Sequence, residues 1–268
     1  MEIAGYIASL LIGVALGLIG GGGSILTVPV LVYLFHVEPV IATSYSLMIV
    51  GTTSLVGAMP KYLQGLVNLK TALVFGLPSI IAVYATRRFI VPLIPTELWS
   101  VGNLVITKNI LMMLLFAVLM LAASFSMILN KKVTTGEEVT EQKFNYPLIF
   151  IEGIVVGVLT GFVGAGGGFL IIPALVLLSK LPMKQAIGTS LLIIAAKSLI
   201  GFTGDLSNYE MDWKLLGIVT ALAIGGIFVG NALSKKVRGE SLKKGFGWFV
   251  LVMGIYIIMK ELFLNNSF

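Results

Sequence analysis

The sequence predicts an all-α integral membrane protein built from two homologous repeats. Charged residues make up 11% of the 268 residues, whereas a soluble domain needs about 25% to cover its surface. Residues 17–29 return as residues 161–173 at a constant offset of 144 positions, each copy with a run of glycines and then a proline. We therefore expect a multi-pass protein of the cell membrane, with a first repeat over 1–130, a polar linker over 131–145 and a second repeat over 146–268.

Apolar segments follow one another through both repeats. A hydrocarbon core of about 30 Å requires about 20 apolar residues in a helix. The first segment of each repeat, over 3–35 and 146–179, is longer and is interrupted by the glycine run, so we expect a discontinuous helix followed by three transmembrane helices in each repeat. The uninterrupted helices are expected over 40–60, 69–86, 108–129, 184–203, 214–233 and 246–264, with an interfacial stretch over 87–107.

Two topologies fit these segments. If each broken segment crosses the membrane once, the repeats are parallel, and if each turns back at its glycines, the repeats are inverted. The positive-inside rule compares the Lys and Arg residues on the two sides. The parallel topology divides them 10 to 7 and the inverted topology 12 to 5, with Lys197 inside the membrane. The larger asymmetry favours inverted repeats, with both termini outside the cytoplasm.

The glycine runs form the predicted binding site. Each glycine costs a helix about 1 kcal/mol relative to alanine, so the four from Gly20 to Gly23 are expected to break the helix, which restarts near Ser24. A restarting helix presents unpaired N–H groups and a partial positive charge. In inverted repeats two such N-termini face each other near the midplane and form an anion site. The alternative is that the glycines serve only close helix packing, although packing motifs space their small residues by four.

Hydroxyl groups and one lysine add candidate ligands. Hydroxyls after each glycine run either donate hydrogen bonds to an oxyanion or bond back to their own helix. Lys197 lies deep in an apolar segment, where a lysine costs about 2.5–3.5 kcal/mol, so it binds the anion, extends to the helix end or pairs with a carboxylate. The candidate substrate-binding residues are Gly20, Gly21, Gly22, Gly23, Ser24, Ser46, Gly166, Gly167, Gly168, Thr189, Ser190 and Lys197.

Acidic residues and the single histidine raise the question of a coupling proton. Glu152 lies near the start of the fifth segment and His36 follows the first broken segment. A buried carboxylate or an imidazole suits proton coupling, whereas an interfacial glutamate and a solvated loop histidine are the alternatives. Asp205, Glu210 and Asp212 border two helices and are expected to be cap and loop residues.

The motifs resemble those of the sulfite exporter TauE/SafE family. In the second repeat the glycine run and proline are followed by Thr189-Ser-Leu191, and in the first, more loosely, by Ser44-Tyr-Ser-Leu47 with Tyr45 in place of Thr189. The resemblance covers nearly the whole chain, with one signature per repeat. It implies a secondary transporter of sulfur-containing anions (sulfite, thiosulfate or an organosulfonate) that works by alternating access. The alternatives are an uncoupled anion channel and a membrane scaffold that transports nothing.

Several other classes of function and partner are disfavoured. The chain has one histidine and no cysteine, and it lacks the common hydrolase and metalloprotease motifs, so we expect no enzyme, no cofactor and no metal. The net charge of +6 comes from cations at segment ends, which are topology signals and not a nucleic-acid surface. The expected partners are the lipid bilayer, the small anion, a candidate coupling proton or cation, and a second copy of the chain in a homo-oligomer.

Overall fold

The structure is a computed structural model that describes residues 2–101, 104–129, 146–164, 166–177, 181–234 and 239–264. The predicted linker over 131–145 lies outside the described residues. The helices are α1 (Glu2–Ile19), α2 (Thr27–Leu34), α3 (Pro39–Leu63), α4 (Leu69–Ala85), α5 (Val91–Leu93), α6 (Lys108–Leu129), α7 (Tyr146–Val163), α8 (Gly168–Leu177), α9 (Met183–Asp205), α10 (Trp213–Leu233) and α11 (Gly239–Met259). A 3₁₀ turn (Gly21–Leu26) precedes α2, and two π turns (Thr86–Ile90 and Lys260–Leu264) follow α4 and α11.

The prediction of a helical membrane protein is confirmed. Five segments are long and apolar enough to cross a membrane, and they contain α3, α4 with its extension, α6, α9 and α10. One departure from an all-α fold is a short antiparallel hairpin between β1 (Glu97–Val101) and β2 (Leu104–Thr107). This hairpin lies within the stretch predicted to be interfacial.

The first broken segment turns back on itself. After α1, Gly20 has a φ of 75°, a conformation that glycine adopts without steric cost, and the 3₁₀ turn then leads into α2. Phe35, which directly follows α2, packs on Tyr6 near the start of α1 with 5.4 Å between the ring centroids. A Cβ added to Gly5 would lie 2.6 Å from the Cζ atom of Phe35. The two ends of the segment therefore lie side by side, and the glycines form its tip.

The two returning arms end in the same way. His36 has a φ of 55° directly after α2, and the N–H of Val37 donates to the carbonyl of Leu31 at 3.0 Å. In the second half the N–H of Leu181 donates to the carbonyl of Leu175 at 3.1 Å, 144 positions later in both donor and acceptor. The repeat offset is thus visible in the backbone geometry.

The two halves contact each other reciprocally. A Cβ at Gly57 would meet Ile227, and a Cβ at Gly201, 144 positions later, would meet Val83, the counterpart of Ile227. At the level of helices, α1 packs on α10 while its counterpart α7 packs on α4, and α3 packs on its own counterpart α9. Such exchange of partners is what a two-fold relation between similar halves produces.

The fourth helix continues into the stretch predicted to be interfacial. A helical segment continues from Leu69 through the π turn and α5 to Leu93, whereas the predicted helix ends at residue 86. α4 itself agrees with the predicted helix to within one residue, and the departure is Arg87, which was predicted to lie in an interfacial stretch. Its side chain is 0% exposed and has a buried carboxylate partner, so the cation is accommodated inside the helix bundle.

Equivalent helices also begin with equivalent caps. The side chain of Asn68 accepts a hydrogen bond from the N–H of Thr71 at 3.0 Å, before α4. Its counterpart Asp212 accepts from the N–H groups of Lys214 and Leu215 at 3.1 and 3.0 Å, before α10. The prediction of a capping role for Asp212 is confirmed.

Removing the Asp212 cap is expected to destabilise the protein modestly. Asp212→Ala leaves two N–H groups at the start of α10 without their acceptor and lowers the free energy of unfolding by about 1 kcal/mol. Denaturant unfolding of the detergent-purified protein measures the change. Glu210→Ala is the matched control, because Glu210 is exposed and a surface substitution changes stability by no more than about 0.5 kcal/mol. Equal losses in both variants would contradict the capping role.

Candidate functional site

The two glycine runs pack directly against each other. A Cβ added to Gly21 would collide with the backbone of Gly168, and a Cβ on Gly168 would collide with the backbone of Gly21. Gly23 packs against the backbone of α1 at Leu16. Gly22 lies between Gly21 and Gly23 in the 3₁₀ turn. The contact leaves no room for any side chain between the runs.

The first run restarts its helix through a 3₁₀ turn. The α-helical geometry of α2 begins at Thr27, because the 3₁₀ turn occupies Gly21–Leu26. The chain is nevertheless helical from Gly23 to Leu34, which agrees with the predicted restart near Ser24, and the Ser24 hydroxyl donates to the carbonyl of Gly21 at 2.7 Å. In the second half α8 begins at Gly168, the repeat counterpart of Ser24.

Lys197 lies beside the second run. Its side chain is 1% exposed, and Nζ donates a hydrogen bond to Thr160 Oγ1 at 2.9 Å. A Cβ added to Gly167 would lie 2.8 Å from Nζ, so the ammonium packs against the glycine backbone. Within the described part of the chain, no carboxylate lies at ion-pair distance from Nζ. Lys197 therefore neither extends to the helix end nor pairs with an acid.

A second buried cation contacts the same glycine run. Nη1 of Arg87 donates to Thr43 Oγ1 at 3.0 Å and lies 3.3 Å from Oδ2 of Asp205, and both charged side chains are 0% exposed. A Cβ added to Gly164 would lie 2.6 Å from Nη2 of Arg87. Arg87 thus contacts Gly164 and Lys197 contacts Gly167, and we call this part of the second run, with its two cations, the charged turn.

Sequence reasoning missed Arg87 and Asp205. Asp205 was expected to be a cap or loop residue, and that expectation is wrong, because it is the last residue of α9 and is fully buried. The sequence did contain one signal for this ion pair, namely the position of Asp205 at the end of an apolar segment. A carboxylate in the last turn of a helix faces the negative end of the helix dipole, so an acid at the end of an apolar segment requires a cation nearby.

The charge is gathered at one glycine run and not at both. The repeat counterparts of Arg87, Asp205 and Lys197 are Asn231, Lys61 and Thr53. Added Cβ atoms at Gly20 and Gly21 would meet the side chains of Ile172, Ile187 and Ile194 together with the backbone of Gly168. The helix contacts are therefore reciprocal between the two halves, whereas the chemistry differs between the two runs.

Most of the predicted hydroxyl ligands have partners within the protein. Thr189 Oγ1 accepts from the N–H of Asn68 at 2.9 Å, and Ser190 Oγ donates to the carbonyl of Ile187 at 2.9 Å. Ser46 Oγ is buried without a hydrogen-bond partner. Of the four predicted hydroxyl ligands (Ser24, Ser46, Thr189 and Ser190), Ser46 is therefore the one without a hydrogen-bond partner among the described residues.

Two unpartnered hydroxyls lie on helices that line the charged run. A Cβ added to Gly166 would meet Val50 of α3 and, at 3.4 Å, the Oγ of Ser198 in α9. Ser198 Oγ is buried and lacks a partner, and sequence reasoning missed it. Ser46 lies between Thr43 and Val50 in α3, within 40° or so of Val50 on the helical wheel. Both hydroxyls are available to a ligand that reaches this run.

The two candidates for proton coupling lie away from the glycine runs. Glu152 is partly buried in α7, with Oε2 lacking a partner, and it precedes Thr160 by eight residues, or about 12 Å along the helix. His36 is exposed at the end of α2, beside the start of α1 and remote from the glycine tip. Their proposed role in coupling stays a prediction.

A profile of the sulfite exporter TauE/SafE family matches residues 6–257. The chain belongs to that family. It is 30% identical over 258 residues to a "Probable membrane transporter protein" of Xylella fastidiosa (strain 9a5c), covering 94% of this chain and 92% of the relative. It is 27% identical to the "Probable membrane transporter protein YunE" of Bacillus subtilis, covering 96% and 97% of the two chains. No solved structure matches.

The resemblance noted in the sequence is therefore confirmed. The family match spans nearly the whole chain, and the five apolar helices fit a multi-pass protein of the cell membrane. Together they indicate that this TauE/SafE member is a membrane transporter.

Proposed function

We propose that this TauE/SafE protein is a secondary transporter of a sulfur-containing anion (sulfite, thiosulfate or an organosulfonate) that works by alternating access. The observation that carries the proposal is the pair of buried cations, Arg87 and Lys197, at the two ends of the Gly164–Gly167 turn. Asp205 balances one of them, so the turn retains one net positive charge. A cationic substrate is repelled by such a site, and an anion is attracted.

The chemistry of the surrounding groups suits an oxyanion. Sulfite, thiosulfate and sulfonates present several oxygens that accept hydrogen bonds. The guanidinium of Arg87 offers a planar set of donors, the ammonium of Lys197 a point charge, and the hydroxyls of Ser46 and Ser198 neutral donors. In a bundle that excludes water, charged hydrogen bonds are stronger than neutral ones. The site therefore selects for charge and oxygen geometry more than for the remainder of the substrate.

We also propose that the two repeats are inverted in the membrane. The first broken segment begins and ends side by side, as its reversal at Gly20 requires, so it does not change the side on which the chain lies. Three crossings per repeat then invert the second repeat relative to the first. With Arg87 buried, the remaining Lys and Arg residues divide 12 to 4 in the inverted topology and 9 to 7 in the parallel one, which strengthens the preference.

Alternating access follows from the contact between the runs. Gly21 and Gly168 meet through their backbones without interlocking side chains. Rocking of one repeat against the other changes this contact with little steric obstruction. The charged turn beside it is exposed first to one side of the membrane and then to the other.

Thermal unfolding with a panel of anions tests the proposal. The panel contains sulfite, thiosulfate, methanesulfonate, sulfate, phosphate and chloride, with a sodium-salt control at matched ionic strength. An anion at a hundredfold excess over its dissociation constant stabilises the protein by about 2.7 kcal/mol. We expect this stabilisation for sulfur anions, its loss in Lys197→Met, and its retention in Lys214→Met, where the same substitution removes an exposed lysine.

A transport assay separates the remaining alternatives. Flux of radiolabelled sulfite into liposomes that saturates with concentration supports a carrier. A current that rises linearly with voltage and does not saturate indicates an uncoupled channel. If a folded sample shows neither ligand stabilisation nor flux, the proposal is wrong and the protein is a scaffold.

A further inference from the structure

We infer that Arg87 and Asp205 form a proton-coupled anion switch, in which a divalent oxyanion replaces Asp205 as the counter-ion of Arg87 and Asp205 takes up one proton. This inference rests on the proposed function and specifies its coupling ion. It assigns the coupling to a residue pair at the charged glycine run, and not to Glu152 or His36.

The guanidinium of Arg87 is only partly used. Arginine carries five N–H donors, yet only Nη1 has partners, namely Thr43 and Asp205. Among the described residues, Nε and Nη2 are buried and lack hydrogen-bond partners, whereas the Asp205 carboxylate has the Ser44 hydroxyl as a hydrogen-bonding neighbour. A buried ion pair is stable only when its remaining donors and acceptors are also satisfied. The pair is therefore incomplete without a further ligand.

One of the free donors, Nη2, lies against the glycine run. Nη2 packs against Gly164, at the start of the turn whose other end contacts Lys197. The Nε–H and one Nη2–H of a guanidinium point in parallel and match two oxygens of one oxyanion. An anion that binds this edge satisfies both free donors at once. It also competes with Asp205 for the same positive charge.

The charge balance determines when a proton is needed. The Arg87–Asp205 pair is neutral as a whole, so with Lys197 protonated the buried turn carries one net positive charge. A monovalent anion neutralises it directly. A divalent anion leaves one excess negative charge in a low-dielectric interior, which is costly. Neutrality is restored when the Asp205 carboxylate takes up one proton from the aqueous side that faces the site. Protonated Asp205 then releases Arg87 to the anion.

The other groups around Asp205 are less suited to accept this proton. Besides Arg87, its electrostatic neighbours are Lys108 at the start of α6 and Tyr209 in the loop after α9, and Glu38 faces those two. Lys108 and Arg87 are already cationic. Burial, with Asp205 adding to it, raises the pKa of the Tyr209 phenol, so this group stays protonated. Glu38 is exposed and accepts a hydrogen bond from Asn109 at 3.0 Å.

Calorimetry of anion binding tests the switch. Titration of the detergent-purified protein with thiosulfate near pH 7, in buffers of different ionisation enthalpy, gives the number of protons taken up. We expect about one proton per thiosulfate and about none per methanesulfonate, and the affinity for thiosulfate should fall about tenfold per pH unit as the pH rises. In Asp205→Asn, thiosulfate binding should remain while the uptake and the pH dependence are lost. Glu38→Gln, which removes the nearby exposed carboxylate, should behave as the unmodified protein.

The outcomes distinguish this inference from the proposed function. Thiosulfate binding without proton uptake in the unmodified protein overturns the switch and leaves the transporter proposal intact, and this result requires no variant to fold. Equal uptake for methanesulfonate and thiosulfate, or unchanged uptake in Asp205→Asn, overturns it as well. If no sulfur anion produces a heat of binding, the proposed function itself fails.

Discussion

Gly168→Ala is expected to disrupt the contact between the two glycine runs and to abolish transport. The added methyl group falls on backbone atoms of Gly21, and neighbouring backbone cannot rotate away as a flexible side chain can. Overpacking of this kind costs about 3 kcal/mol at its upper end. We expect a loss of that size in the free energy of unfolding, measured by denaturant titration, and no sulfite flux in liposomes.

A second glycine substitution provides the control. Gly217 is an exposed residue of α10, and an added Cβ has no other atom within 4 Å. Gly217→Ala should therefore raise the stability, by up to about 1 kcal/mol, since alanine is the better helix former. Transport should be unchanged. Equal behaviour of the two alanine variants would show that the glycine runs do not depend on their close approach.

The fold was largely predictable because its signals are local or repeated. A run of glycines breaks a helix wherever it occurs, and the offset of 144 positions identifies the two halves without any knowledge of packing. The caps Asn68 and Asp212 lie at matching positions, and they perform the same task. The prediction missed the helical continuation to Leu93 and the burial of Arg87 within it, because a cation at the end of an apolar segment is normally a topology signal.

The chemistry of the site was only partly predictable. Lys197 was identified because a lysine in an apolar helix is costly wherever it points. Its partner Thr160 has no distinctive pattern, since hydroxyls are common in apolar helices and usually bond to their own backbone. Arg87 and Asp205 are 118 positions apart, and each taken alone fits the end of a membrane segment. Only the packing of the extended α4 segment against α9 reveals them as a pair.

Arg87→Met is expected to destabilise the protein more than any other single substitution considered. Methionine matches the length of the arginine stem but leaves the Asp205 carboxylate buried without its cation. Removal of one partner from a buried ion pair costs about 3–5 kcal/mol. Denaturant unfolding at pH 8 should show this loss, and the loss should shrink as the pH falls, because protonation of Asp205 removes the uncompensated charge.

The double variant Arg87→Met with Asp205→Asn separates stability from function. With both charges gone, no buried ion lacks a partner, and replacing a buried pair by neutral groups of similar size is often neutral or stabilising. We expect the free energy of unfolding to recover to within about 1 kcal/mol of the unmodified protein, while stabilisation by thiosulfate stays absent. Recovery of both properties would mean that the pair serves the fold alone. Recovery of stability without ligand response would mean that the protein tolerates the cost of an incomplete buried ion pair because the anion completes it.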